Sequence, residues 1–225
     1  GNQYPVINKK RGAVRHLTEK KYVEDWSFVM AMTGVLRPGH VQIRVFDLEE
    51  SVRFYRDVMG LVETGRDDQG RVYFKCWDER DHSSYIIRQA EEAGMDFFGF
   101  KVLNAETLDK LEADLNAYGI DTSRMPAGAL LETGERVRFT LPTGHLMELY
   151  AEKSAVGNGL SSANPGPWNA ASEHGIAPVR LDHMLLYGPN VAANKKIFED
   201  VLDFFLVERV LAEDGEFEAG IWLSC

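Results

Sequence analysis

A chain of 225 residues is long enough for one or two domains with their own cores, and 44% hydrophobic with 27% charged residues is an ordinary globular balance. A net charge of −10 argues against nucleic acid as a partner, since its recognition usually needs a basic face. Two cysteines, Cys76 and Cys225, form no disulfide framework and no CxxC pair, and no run of about 18 apolar residues could span a membrane, so a reducing cytoplasm is the expected compartment.

Residues 1–32 differ from the rest. Lys9, Lys10, Arg11, Arg15, Lys20 and Lys21 outnumber the acids there, and apolar periodicity is weak. The reading adopted is an atypical, non-native leader with Met30 or Met32 as the true start; a basic targeting arm is the alternative. From His40 the pattern becomes regular. His40–Phe46 alternates like a strand, and Leu48, Val52, Tyr55 and Met59 fall at helical spacing after Asp47, a good N-cap, and before Gly60. Strands follow near Leu61–Gly65, Arg71–Trp77 and Ser84–Gln89, with Asp68-Gln69-Gly70 turning the first pair. The unit reads β-α-β-β-β.

A second such unit runs through strand Phe97–Leu103, helix Ala105–Ala117, and strands near Asp121, Arg136–Leu141 and Leu146–Ala151, with Pro142-Thr143-Gly144 turning the last pair. Together the two units make a module over residues 35–152. Residues 153–178 read as a linker, since Gly157–Pro178 is rich in Gly, Ser, Asn, Ala and Pro. A third unit opens at Val179 with a strand, a helix near Ala192–Leu202, strand Phe205–Leu211, a turn at Asp214-Gly215 and strand Phe217–Ser224. The predicted class is therefore α+β, built of tandem β-α-β-β-β units. The second module, 179–225, is expected to be incomplete, because a half hairpin leaves a bare edge that native sheets avoid.

The third unit repeats the first. Sliding the sequence along itself places His183 on His40, Phe198 on Tyr55, Asp200 on Asp57, Val201 on Val58 and Arg209 on Arg66, without a gap. Of the six histidines (His16, His40, His82, His145, His174, His183), two therefore share a repeat position at the start of a first strand. Paired β-α-β-β-β units curl into a cup, so the first strand of one and the last strand of the other can both line it. That brings His40 towards Glu148. A histidine and a glutamate are two members of a facial triad, the ligand set that holds Fe(II) with positions left open. The repeat offset places the second module's equivalent of Glu148 about 143 residues further on, beyond Cys225.

Several stretches together carry a family resemblance: Leu36-Arg37-Pro38-Gly39-His40-Val41-Gln42, Asp67-Asp68-Gln69-Gly70-Arg71-Val72-Tyr73, Gly94-Met95-Asp96-Phe97, Pro126-Ala127-Gly128 and Val179-Arg180-Leu181-Asp182-His183. Over about residues 35–225 the sequence resembles the extradiol ring-cleaving dioxygenases of the vicinal oxygen chelate superfamily. The resemblance implies an amino-terminal module that keeps the cup but binds no metal, and a carboxy-terminal module that holds one Fe(II). It makes His183 the first iron ligand, with the remaining ligands and proton-handling residues beyond Cys225, and His40 and Glu148 a relic pair. It further implies extradiol cleavage of catechol by O2 to 2-hydroxymuconic semialdehyde, in a homotetramer. The alternatives are an enzyme for a bicyclic diol such as 2,3-dihydroxybiphenyl, and a non-catalytic binding protein on the same fold. Cys76 is expected to be a small buried hydrophobe, Tyr73, Phe74 and Trp77 core or interface aromatics, and Glu49, Glu50 and Asp57 a solvated helix face.

Overall fold

The computed structural model describes residues 34–157, 174–212 and 218–225. The leader 1–32, most of the linker and the turn at Asp214-Gly215 lie outside them. Eight strands form one sheet: β1 (Val35–Val45), β2 (Val62–Arg66), β3 (Val72–Lys75), β4 (Tyr85–Gln89), β5 (Gly94–Val102), β6 (Thr122–Met125), β7 (Arg136–Thr140) and β8 (Leu146–Tyr150). Their order is β2-β3-β4-β1-β5-β8-β7-β6, so each β-α-β-β-β unit supplies one half and the first strands meet at the centre. β1 and β5 run antiparallel, while β1 pairs with β4 and β5 with β8 in parallel. The two halves are thus related by an approximate two-fold between β1 and β5, as expected for paired units.

Helix α1 (Leu48–Arg53) begins where Asp47 Oδ1 accepts the Glu50 N–H at 2.8 Å. The sequence pattern predicts a single helix to Met59, but from Phe54 the chain widens into a π turn closed by Met59 N–H to the Phe54 carbonyl at 2.9 Å. Gly60 follows with φ of 75°. A side chain there would overlap the His174 carbonyl, because the last residues of the linker dock on the end of the π turn through Ile176 N–H to Val58 O at 2.9 Å and Ala177 N–H to Met59 O at 3.0 Å. Helix α2 (Ala105–Ala117) matches its predicted bounds and is capped by Asn104 Oδ1, which accepts the Thr107 N–H at 2.9 Å.

Period-two alternation divides every strand between two faces. The outer face carries Val41, Val72, Phe74, Ile87, Phe98, Phe100, Val137, Phe139, Met147 and Leu149, all buried, together with Val52 of α1 and Leu108, Leu111 and Leu115 of α2. Cys76 is fully buried in the same layer, and Tyr73 and Phe74 are core residues, as the sequence suggests. Glu49, Glu50 and Asp57 are exposed. The opposite, concave face is where His40, Gln42, Arg136, Arg138 and Glu148 point, above a small apolar floor of Tyr73, Ile86, Phe97 and Leu130.

The third unit contributes helix α3 (Val191–Asp200) and the hairpin β9 (Phe205–Leu211) and β10 (Glu218–Ser224). The strand predicted from Val179 is not formed: residues 178–188 are extended coil, and His183 and Tyr187 point into solvent. A strand exists only through its neighbours, and among the described residues no sheet partner lies beside this segment. The unit nevertheless packs tightly. Ile197, Phe198, Val201, Leu202 and Phe204 join the outer-face core, where Phe100 meets Phe198 and Phe204 edge-on with ring centres 6.1 and 5.4 Å apart.

Candidate functional site

Three neighbouring strands bring the first candidate residues together. His40 on β1 stands opposite Gly99 on β5, and Gly99 stands opposite Glu148 on β8. Side chains two strands apart are ordinarily separated by the one between them. Gly99 removes it: a Cβ at that position would lie 2.5 Å from His40 Nε2. The imidazole therefore crosses over Gly99, and His40 Nε2 meets Glu148 Oε2 at 3.0 Å, both side chains fully buried. The pairing anticipated from the repeat is present, whereas the glycine that permits it was not foreseen. Its signal was there, a lone glycine inside the apolar run Phe97-Phe98-Gly99-Phe100.

Cations surround this pair. Arg136 Nη1 donates to Glu148 Oε1 at 2.6 Å, and Arg138 Nε donates to the same oxygen. Lys153 Nζ lies 2.9 Å from His40 Nδ1 and donates to the Ser83 carbonyl at 2.7 Å. The Glu148 carboxylate is ionised and can only accept, so Nε2 carries the N–H that donates to it, and in the neutral ring Nδ1 is left as the acceptor facing Lys153. Tyr150 stacks on the ring with centres 4.7 Å apart, and Phe97 meets it edge-on at 5.7 Å. Burial, reinforced by Lys153, drives the His40 pKa down to about 4, keeping the ring neutral. Burial alone would raise the Glu148 pKa, but the His40 hydrogen bond and the arginine charges outweigh it and hold the carboxyl down to about 2. Burial likewise brings Lys153 down to about 7. None of Arg136, Arg138 and Lys153 was anticipated; the alternation Arg136-Val137-Arg138-Phe139, which puts both arginines on one face, was the available signal.

His183, the predicted metal ligand, sits apart from this cluster. Its side chain is 87% exposed, with Nδ1 3.3 Å from Asp182 Oδ2. It borders a cavity of about 240 Å³ walled by Phe100, Met184, Phe198, Phe204 and Cys225. Among the described residues, no group of three or more His, Cys, Asp or Glu side chains is placed to hold a metal ion, so His183 stands there as a single ligand candidate. The other histidines serve structure. His82 is buried against Tyr73, His145 Nδ1 lies 2.9 Å from Thr143 Oγ1, and His174 Nε2 lies 2.9 Å from the Arg56 carbonyl. His16 lies outside the described residues.

Paired β-α-β-β-β units around a concave face, with a first-strand histidine meeting a last-strand glutamate, define the vicinal oxygen chelate class. Residues 95–154 match the Catechol 2,3-dioxygenase-like N-terminal domain family. The chain is 48% identical over 183 residues to a metapyrocatechase of Pseudomonas sp. (strain CF600), covering 81% of this chain and 59% of the relative. It is 28% identical over 188 residues to a manganese-dependent 2,3-dihydroxybiphenyl 1,2-dioxygenase of Geobacillus genomosp. 3, covering 83% of this chain and again 59% of the relative. Among solved structures, the 2,3-dioxygenase LapB from Pseudomonas sp. KL28 superposes with a TM-score of 0.83 at 72% identity, covering 87% of this chain and 68% of that one. Homoprotocatechuate 2,3-dioxygenase from Brevibacterium fuscum gives 0.73 at 26% identity, over 84% and 56%. The chain belongs to the extradiol dioxygenase family. It spans about three fifths of the length of the curated relatives it matches.

Proposed function

We propose that the chain is the first module and the opening of the catalytic module of an Fe(II)-dependent extradiol dioxygenase that cleaves catechol with O2 to 2-hydroxymuconic semialdehyde. The observation that carries this reading is the likeness to LapB, 72% identical over 87% of the chain, which runs through the segment bearing His183. His183 fits a first metal ligand: its ring is accessible, and Asp182 beside Nδ1 is placed to orient it with Nε2 outward. Bound Fe(II) would supply the redox relay that lets a catechol react with O2. His40 and Glu148 do not fit the same role. The Nε2 of His40 carries the proton donated to Glu148, and both Glu148 oxygens are already engaged by His40, Arg136 and Arg138. In this reading the first cup holds no metal and serves as scaffold, and the enzyme works in the cytoplasm as a homotetramer.

The test is expression of the longer reading frame, with His183→Ala beside it. The parent should carry about one iron per chain and turn catechol yellow, while the variant loses both and stays folded. Metal analysis distinguishes iron from the manganese named for one relative, and 2,3-dihydroxybiphenyl tests the bicyclic alternative. Full iron and full turnover in the His183→Ala protein would refute the assignment. The 225-residue chain alone, with one ligand candidate among the described residues, should neither retain stoichiometric iron nor open the ring.

A further inference from the structure

The concave face of the first module holds more positive charge than its own carboxylates neutralise. A cavity of about 530 Å³ is lined by Arg71, Arg88, Arg136, Arg138, Gln42 and Gln69, with Met125 and Ala129 at its wall. Three carboxylates pair with these four guanidinium groups. Asp67 takes Arg71 Nε at 2.6 Å, Asp96 takes Arg88 through two bonds of 2.6 and 2.9 Å, and Glu148 takes both Arg136 and Arg138. Arg44 approaches Asp96 at 3.7 Å and adds a further positive charge at the rim. In a chain whose net charge is −10, this is a concentrated positive field inside a concave surface.

Two of the residues lining this cavity carry a buried polar atom with no partner. Arg136 is 1% exposed, and its Nε–H donates to nothing in the protein. Gln42 is 6% exposed; its Nε2 donates to Asp96 at 2.7 Å while its Oε1 accepts nothing. A buried orphan donor or acceptor costs about 1–3 kcal/mol, which is why such groups in native folds usually have a partner. The orphan donor belongs to a cation and asks for an anionic oxygen. The orphan acceptor asks for an O–H.

We infer that the cup of the first module is a binding site for a small hydroxylated oxyanion, a hydrogenphosphate or a hydroxycarboxylate, held by Arg136 and Arg88 with its O–H on Gln42. Guanidinium groups are the usual partners for such anions through charge-assisted N–H bonds; with Arg88 Nε and Nη2 on Asp96 and Arg136 Nη1 on Glu148, Arg136 Nε and Arg88 Nη1 are left as donors for the ligand. The inference concerns the first module alone and does not depend on the ring-cleavage reading, so the two can fail separately.

The experiment uses the chain Gly1–Cys225 with 15N-labelled arginine, titrated with inorganic phosphate and separately with L-malate. Sodium chloride at matched ionic strength and acetate, which lacks an O–H, are the comparisons. The Arg136 Nε–Hε resonance should shift saturably with phosphate or malate, and acetate should require about tenfold higher concentration. The probe with the lower half-saturation identifies the source as inorganic or organic. Arg88→Gln, which removes a half-exposed arginine, should raise that half-saturation about tenfold while the spectrum stays that of a folded protein. The inference is overturned if neither probe moves the Arg136 signal saturably, if chloride moves it equally, or if a folded Arg88→Gln protein binds as tightly as the parent.

Discussion

Gly99→Ala places one methyl group where the His40 imidazole crosses the sheet. The added carbon would lie 2.5 Å from Nε2, 2.8 Å from Cδ2 and 3.0 Å from Cε1, so the ring as a whole is in its way. That ring cannot swing aside cheaply. Glu148 and Lys153 hold its two nitrogens, Tyr150 lies flat against it, and the side chain is fully buried. Forcing extra volume into such a site costs about 1–3 kcal/mol. Displacing the ring also strands a buried carboxylate oxygen of Glu148, which adds about 1–3 kcal/mol. The expected loss is about 2–6 kcal/mol by urea unfolding, or about 4–24 °C in midpoint temperature for a domain of this size. The loss depends on the imidazole being there. In a His40→Ala background the methyl group enters vacated space, and Gly99→Ala should then cost less than about 1 kcal/mol. An equal cost in both backgrounds, or a cost under 1 kcal/mol in the parent, would show that the glycine is there for some other reason.

The buried polar cluster makes stability pH-dependent. The His40 pKa falls from 6.5 to about 4 on folding, so between those values the unfolded chain holds the extra proton and stability declines as pH drops. Glu148, lowered from 4.5 to about 2, continues the decline over that lower window. Burial shifts His82 downward too, so the slope belonging to His40 is the part of the urea midpoint between pH 6.5 and 4 that disappears in His40→Gln. Glu148→Gln should cost about 3–5 kcal/mol by urea denaturation, since it leaves Arg136 buried without its counter-charge. A loss under 1 kcal/mol would mean that the arginine finds another partner. Phe198→Ala should cost about 3–5 kcal/mol and keep a single unfolding transition, because Phe198 packs on Phe100 of the central strand. Two separate transitions would show that the third unit folds apart from the sheet. His183→Ala in the 225-residue chain should change stability by less than about 0.5 kcal/mol, its side chain being 87% exposed.

What was legible in the sequence follows from what each feature depends on. The strands and helices of residues 35–152 were readable because period-two and period-3.6 patterns mark a face, and Asp47 and Gly60 mark helix ends by local chemistry. The repeat carried the further step that β1 and β8 share a cup, which put His40 and Glu148 together. Two things were not legible. The π turn at Phe54–Val58 keeps the apolar spacing of a helix and changes only its hydrogen bonds, so no residue type announces it. The expected strand at Val179 had the right alternation, but alternation supplies only one side of a ladder, and the segment lies without a sheet partner among the described residues.

The candidate site shows the same limit in sharper form. His40 and His183 hold equivalent repeat positions, yet their surroundings could hardly differ more: one ring is sealed between Tyr150, Lys153 and Glu148, the other stands in solvent beside Asp182. A repeat fixes where the backbone places a side chain. The neighbours decide what that side chain can do, and here they are contributed by β7 and by the chain just past β8, far from His40 in sequence. Arg136 and Lys153 bring fixed or proton-borne positive charge to the histidine–glutamate pair, the charge that an Fe(II) ion would bring to an open ligand pair. The arginines thus occupy the Glu148 oxygens of the His40–Glu148 pair, and they leave the cup with an unpaired buried donor at Arg136 Nε.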